Sequence, residues 1–260
     1  SGVQLLVAGG CNFPDKPAAE GGTKEYHSDI YALDITTRSP AGWRRIGKLP
    51  LPLAYGASVT TPEGLVWIGG NNNEEVSGQV FFVNWNGEKQ QLHIFELPPL
   101  PIPLDNLSAT YADGHLYVAG GKGKSQTAPI GKDDSQAAPT NPLFSLQLTP
   151  SLQKEWVRLP DFPGPVRVQP VLIAQQSGDG IRLYLAGGFQ PESPHQEAIV
   201  CKDMLSYHPE TKQWRNEVFL PSFADGSHRT ITGGCAIASG DSSIFLIGGV
   251  NYNRFRDALN

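Results

Sequence analysis

Leu65-Val66-Trp67-Ile68-Gly69-Gly70 is a short apolar run closed by two glycines. It recurs as Leu5-Leu6-Val7-Ala8-Gly9-Gly10, Leu116-Tyr117-Val118-Ala119-Gly120-Gly121, Leu183-Tyr184-Leu185-Ala186-Gly187-Gly188 and Ile244-Phe245-Leu246-Ile247-Gly248-Gly249. The last glycines stand at 10, 70, 121, 188 and 249, in steps of 60, 51, 67 and 61 residues. Five such runs at near-regular intervals make an internal repeat. A run of this length, bounded by turn residues, reads as a strand buried on both faces.

The surroundings of each run repeat as well. A strand of small and apolar residues precedes it, as in Tyr55-Gly56-Ala57-Ser58-Val59 or Gly234-Cys235-Ala236-Ile237-Ala238. Tight turns such as Asp113-Gly114 and Gly178-Asp179-Gly180 join the two, supplying the positive φ that hairpins need. A variable loop and an alternating strand follow, for example Asp29-Ile30-Tyr31-Ala32-Leu33-Asp34. A last strand carries Trp43, Phe95, Trp156 or Trp214 and closes on Leu-Pro. Four antiparallel strands per unit are one propeller blade. The fold class is therefore all-β, a kelch-type β-propeller, six-bladed in the complete protein with about five blades represented here. The expected domain is 1–260, a single propeller with blade segments at about 1–50, 51–100, 101–161, 162–222 and 223–260. The double glycine is expected where a neighbouring backbone leaves no room for a Cβ. The outer-strand aromatic is expected to fill the gap between blades. The last unit lacks its two outer strands, so the expectation is that residues beyond Asn260 complete the ring and cover its open edges.

Composition agrees with many short strands. Gly (29) and Pro (22) are about a fifth of the 260 residues and lie between the apolar runs. A net charge of -5 argues against a nucleic-acid partner, which needs concentrated Lys and Arg. No apolar run reaches the ~20 residues of a membrane-spanning helix. Cys11, Cys201 and Cys235 are too few for a disulfide framework and have no metal spacing, nor do the six histidines. Lys122-Gly123-Lys124-Ser125 lacks the glycine spacing of a phosphate loop.

Long second-to-third-strand loops, at 11–28, 71–78, 122–142 and 189–202, share one face with the links between blades. Function is expected there, on loops held by a rigid scaffold. Candidate ligand-binding residues are the polar ones that follow each double glycine: Asn12, Asn71, Asn72, Asn73, Glu74, Lys122, Gln190, Asn251 and Arg254. Amides suit a polyhydroxylated ligand, and Lys122 and Arg254 suit a carboxylate.

Three stretches are more particular. Gly9-Gly10-Cys11-Asn12-Phe13-Pro14 leads through Gly21 to Tyr26 and on to Ser28-Asp29-Ile30-Tyr31; Ala54-Tyr55-Gly56 precedes the second double glycine; and Gly248 to Phe255 closes the chain. Together they resemble the cyclically permuted mutarotases, kelch-like relatives of the bacterial N-acetylneuraminate epimerases. The resemblance implies a six-bladed propeller that interconverts the anomers of N-acetylneuraminate or a related sugar by acid/base ring opening. It implies a small-molecule sugar partner, no cofactor, and a periplasmic or otherwise exported bacterial protein. It also implies an acid/base Glu, with an Arg a few residues on, in a segment of the type Asn-Gly-Glu-x-Lys-Pro-Gly-x-Arg. That segment is not in this chain, and in the permuted order it falls in the blade after Asn260. Glu74 stands on a different blade and is not given the role, so catalytic residues stay unassigned. The alternative is a non-catalytic propeller that binds a glycan or a protein, because a fold does not fix a function. A copper-radical oxidase on the same architecture would need a Tyr/His ligand set that does not appear.

Overall fold

In the computed structural model, residues 4–36, 42–123, 141–148, 155–192, 197–218 and 220–251 are described. They are almost entirely strand and turn, with one short 3-10 helix at Ala18–Glu20. The strand pairings registered among the described residues are antiparallel. The chain divides into two compact units, Ser1–Asp105 and Asn106–Asn260.

The first unit holds two sheets. Gln4–Ala8, Asp29–Asp34 and Arg44–Lys48 form a three-stranded sheet, and Ala57–Thr60, Leu65–Ile68, Val80–Asn86 and Gln91–Leu97 a four-stranded one. Ile30, Leu49, Leu53, Phe81 and Val83 are the buried centre of this unit, with Leu65 and Trp67 packed against them. The second unit holds two four-stranded sheets. One is Asp105–Ala112, whose first residue still belongs to the first unit, with His115–Lys122, Leu143–Gln147 and Val157–Leu159; the other is Val171–Ser177, Gly180–Ala186, Met204–His208 and Gln213–Asn216. Cys235–Ser239 and Ser243–Ile247 add a two-stranded hairpin. Leu143, Leu172, Leu183, Leu185, Leu205 and Tyr207 form one core cluster, and Val171, Ala186 and Ile231 another. The blade-type sheets thus carry three, four, four, four and two strands among the described residues.

The double glycines act through main-chain contacts to the link that follows each blade. The second glycine donates its N–H to a link carbonyl: Gly10 to Leu53 at 2.8 Å, Gly70 to Leu104 at 2.9 Å, Gly121 to Arg167 at 3.0 Å and Gly188 to Ile231 at 3.2 Å. A Cβ on Gly9 would lie 2.4 Å from the Leu53 carbonyl oxygen, and one on Gly187 2.3 Å from that of Ile231. Both glycines also have positive φ. The acceptor residues Leu53, Leu104, Arg167 and Ile231 are all buried. Two residues further on, each link enters the next inner strand through a left-handed residue: Tyr55 (φ 59), Asn106 (φ 53), Gln169 (φ 53) and Gly233 (φ 63). In the second unit these residues are chained, Gln169 N–H to Asn106 carbonyl and Gly233 N–H to Gln169 carbonyl.

Two expectations need correction. The outer aromatics do not all fill gaps. Trp156 is buried, and Trp214 packs on Phe162 and Tyr207 and donates from Nε1 to the Pro160 carbonyl at 2.8 Å. Trp43, just ahead of its edge strand, and Phe95, on the outward face of its own, stand half exposed. The Gly-Gly strand is also not buried on both faces everywhere. His115–Lys122 is buried throughout its middle, whereas Leu5 and Val7 in the first blade and Phe245 and Ile247 in the last hairpin are about half exposed. In both strands exposed and half-buried residues alternate.

Candidate functional site

In the first unit the loop 11–28, the loop 71–78 and the link 49–56 meet. Cys11–Asn12 pairs with Glu25–Tyr26 as a small ladder, and His27 N–H donates to the Gly10 carbonyl. Ala54 and Asn71 exchange two backbone hydrogen bonds of 2.9 and 2.8 Å, fixing the link to the second loop. These ties open a cleft of about 590 Å3 lined by Pro14, Lys24, Tyr26, Pro52, Asn73 and Glu74, among others.

One wall is cationic and aromatic. Lys24 Nζ donates to the Tyr55 hydroxyl oxygen at 2.9 Å, and the Cys11 thiol lies 3.4 Å from the same oxygen. The ammonium is 4.9, 5.7 and 5.8 Å from the ring centres of Tyr55, Phe13 and Tyr26, within cation–π range. The hydrogen bond to Tyr55, opposed by partial burial, raises the Lys24 pKa, so the side chain is a fixed cation at neutral pH. Burial pushes the Tyr26 phenol up, against the pull of Lys24. Tyr26 donates its hydroxyl to Asn71 Oδ1 at 3.1 Å, and Asn71 Nδ2 donates to the buried Asp105 at 2.5 Å. Asp105 thereby fixes which way the Asn71 amide points, and Asn71 orients the Tyr26 phenol.

Of the residues singled out by their place after a double glycine, Asn73 and Glu74 line this cleft, and Asn71 supports it from behind. Asn72 also borders it, but its Oδ1 accepts the backbone N–H groups of Glu74 and Glu75, a turn-building role. Asn12 sits apart, 2.8 Å from His27 Nε2. Lys122 and Gln190 belong to the second unit, where both are half-buried. Arg254 lies outside the described residues, as does most of the loop 122–142, and of Asn251 only the backbone is described. Sequence reasoning missed Lys24, Tyr26 and Tyr55 because it searched only the positions after Gly-Gly. Their signal was present in the loop through Tyr26 and in Ala54-Tyr55-Gly56.

The three cysteines are free, with Cys11 half-buried, Cys201 buried and Cys235 exposed. Among the described residues no group of three or more His, Cys, Asp or Glu could hold a metal ion, and no helix is long and apolar enough to cross a membrane.

Four-stranded antiparallel sheets, stapled through Gly-Gly to the following link, place the chain in the β-propeller class. Residues 1–94 match the family model described as N-acetylneuraminate epimerase. That stretch contains Cys11, Lys24, Tyr26, Tyr55 and Asn71. The N-acetylneuraminate epimerase of Brucella suis is 35% identical over 98 residues, which are 34% of this chain and 24% of that protein. The Vibrio cholerae protein of the same name is 38% identical over 88 residues, 32% of this chain and 23% of its own length. The one from Yersinia pestis is 37% identical over 100 residues, 35% of this chain and 24% of its own length. The chain thus spans about a quarter of the length of these relatives. A solved structure titled "Structure of YjhT" aligns over 86% of this chain and 85% of its own, at 15% identity and a TM-score of 0.42. At that similarity the blade assignment rests on this chain's own strand pairing.

Proposed function

We propose that the cleft of the first unit binds a carboxylated, polyhydroxylated sugar of the sialic acid class, and that the protein interconverts its anomers by acid/base ring opening. The observation that carries this reading is the Lys24 ammonium held at the cleft wall by Tyr55, inside the stretch that matches the epimerase model. A fixed cation suits a carboxylate. The amides and carboxylate of Asn73 and Glu74 on the same cleft suit hydroxyl groups. Aromatic rings beside the cation offer apolar surface to the C–H face of a sugar ring. Ring opening needs a proton at the ring oxygen and loss of one from the anomeric hydroxyl, and no redox step. The reading carries with it an exported, periplasmic setting, which cell fractionation would test.

The deciding measurement is proton NMR of the anomer exchange of N-acetylneuraminate with the full-length protein. Faster exchange supports the enzyme. Saturable binding of the sugar without faster exchange replaces it with the non-catalytic sugar-binding propeller.

A further inference from the structure

We propose that Tyr55 is a catalytic residue of this cleft, its hydroxyl delivering a proton to the ring oxygen of the bound sugar and later recovering it. The inference rests on the mutarotase reading above. Three observations carry it. The Tyr55 oxygen is held from two sides, by Lys24 Nζ at 2.9 Å and Cys11 Sγ at 3.4 Å, and so lies one hydrogen bond from Lys24, which lines the cleft. Its hydroxyl is thus positioned, and an ammonium stands ready to stabilise negative charge that develops on it. Second, Tyr55 has φ 59 and is the one aromatic with positive φ among the described residues. A left-handed backbone costs a residue with a Cβ about 1–2 kcal/mol, and such strain gathers at working sites. The equivalent positions in later links carry Asn106, Gln169 and Gly233, types that tolerate this conformation as well or better. Third, the backbone around Tyr55 is clamped. Ala54 is bonded twice to Asn71, and a Cβ on Gly56 would come 2.8 Å from the Gly69 carbonyl oxygen. The phenol therefore leaves a fixed origin, as a proton-transfer group requires.

The step balances without a cofactor. As the bond between the ring oxygen and the anomeric carbon breaks, the Tyr55 proton passes to that oxygen. The anomeric hydroxyl becomes a carbonyl and gives its proton to water. The phenolate stays opposite the Lys24 ammonium. After the carbonyl end rotates, the freed hydroxyl attacks the other face and returns its proton to Tyr55, while the carbonyl oxygen takes one from water.

Tyr55→Phe removes the hydroxyl and keeps the ring over Lys24. In the full-length protein, with anomer exchange of N-acetylneuraminate followed by NMR and active sites counted by sugar titration, the kcat per binding site should fall about 10²-fold or more, well beyond any change in KM from the loosened Lys24. Tyr55→Asn, which suits the left-handed backbone, should lose as much kcat without losing thermal stability. Wild-type exchange that Tyr55→Phe leaves undiminished overturns this inference alone, as does a loss confined to KM. Absence of exchange in the wild type overturns the mutarotase reading with it.

Discussion

Arg167 and Asp203 face each other through two near-parallel hydrogen bonds, Nη1 to Oδ1 at 3.1 Å and Nη2 to Oδ2 at 3.2 Å, at a link position that is leucine or isoleucine in the other blades. The guanidinium is fully buried, stacks at 5.4 Å on Phe162 and donates to the Gly187 carbonyl, while Asp203 keeps some contact with water. Removing the carboxylate would strand a buried cation. Asp203→Ala is expected to destabilise by about 3–5 kcal/mol. Arg167→Leu restores the residue type of the other links and leaves an Asp that water reaches, so it should cost far less. Urea denaturation of the two variants checks the order.

Gly187 separates steric need from mere backbone preference. Its added Cβ would lie 2.3 Å from a carbonyl oxygen, whereas one on Gly226, also of positive φ, meets nothing within 4 Å. Gly226→Ala should cost only the left-handed penalty of about 1–2 kcal/mol. Gly187→Ala should cost clearly more, because main chain must move. Thermal unfolding of both variants tests this.

Burial pushes the Cys201 thiol up to about 11 from an ordinary 9.0. The folded state holds this proton more tightly than the unfolded state. The contribution to stability is therefore complete below pH 9 and is lost as pH rises from about 9 to 11. In a maleimide or disulfide-exchange assay near pH 8, exposed Cys235 should label first and Cys201 only on unfolding.

Asp179 behaves in the opposite sense. Hydrogen bonds from Arg182 hold its carboxyl well below the usual carboxylate range. Its contribution is present above the unfolded value near 3.8 and lost as pH falls below it. Asp179→Asn should flatten the acid limb of a plot of melting temperature against pH.

Lys24→Met keeps length and apolar contact but removes the charge. Binding of N-acetylneuraminate by titration calorimetry should weaken about 10- to 100-fold, the size of one hydrogen bond to a charged group. A neutral polyol sugar should bind both forms alike.

The blades were legible because Gly69-Gly70 and its four counterparts answer to a local demand, positive φ beside a neighbouring carbonyl, that a sequence pattern records directly. The outer aromatics were less so. Trp43 and Trp156 occupy matching places in the repeat, yet only the second is buried, since exposure of an edge strand depends on what packs beside it. The cleft was half legible. Asn73 and Glu74 follow a double glycine and do line it. Lys24 and Tyr55 are 31 residues apart, and nothing in the repeat period says that one would cap the other's hydroxyl. Arg167 was unreadable as a core residue, because a guanidinium is buried only when a distant carboxylate comes to meet it.

The staple from Gly10, Gly70, Gly121 and Gly188 to the following carbonyls uses main-chain atoms alone. Coupling between successive repeats is therefore blind to side-chain identity on the acceptor residue, which is why an arginine can stand in for leucine there. Duplicated modules joined in this way are free to drift apart in their long loops without losing alignment, so ligand preference can be rewritten in a loop while the masonry beneath it stays put.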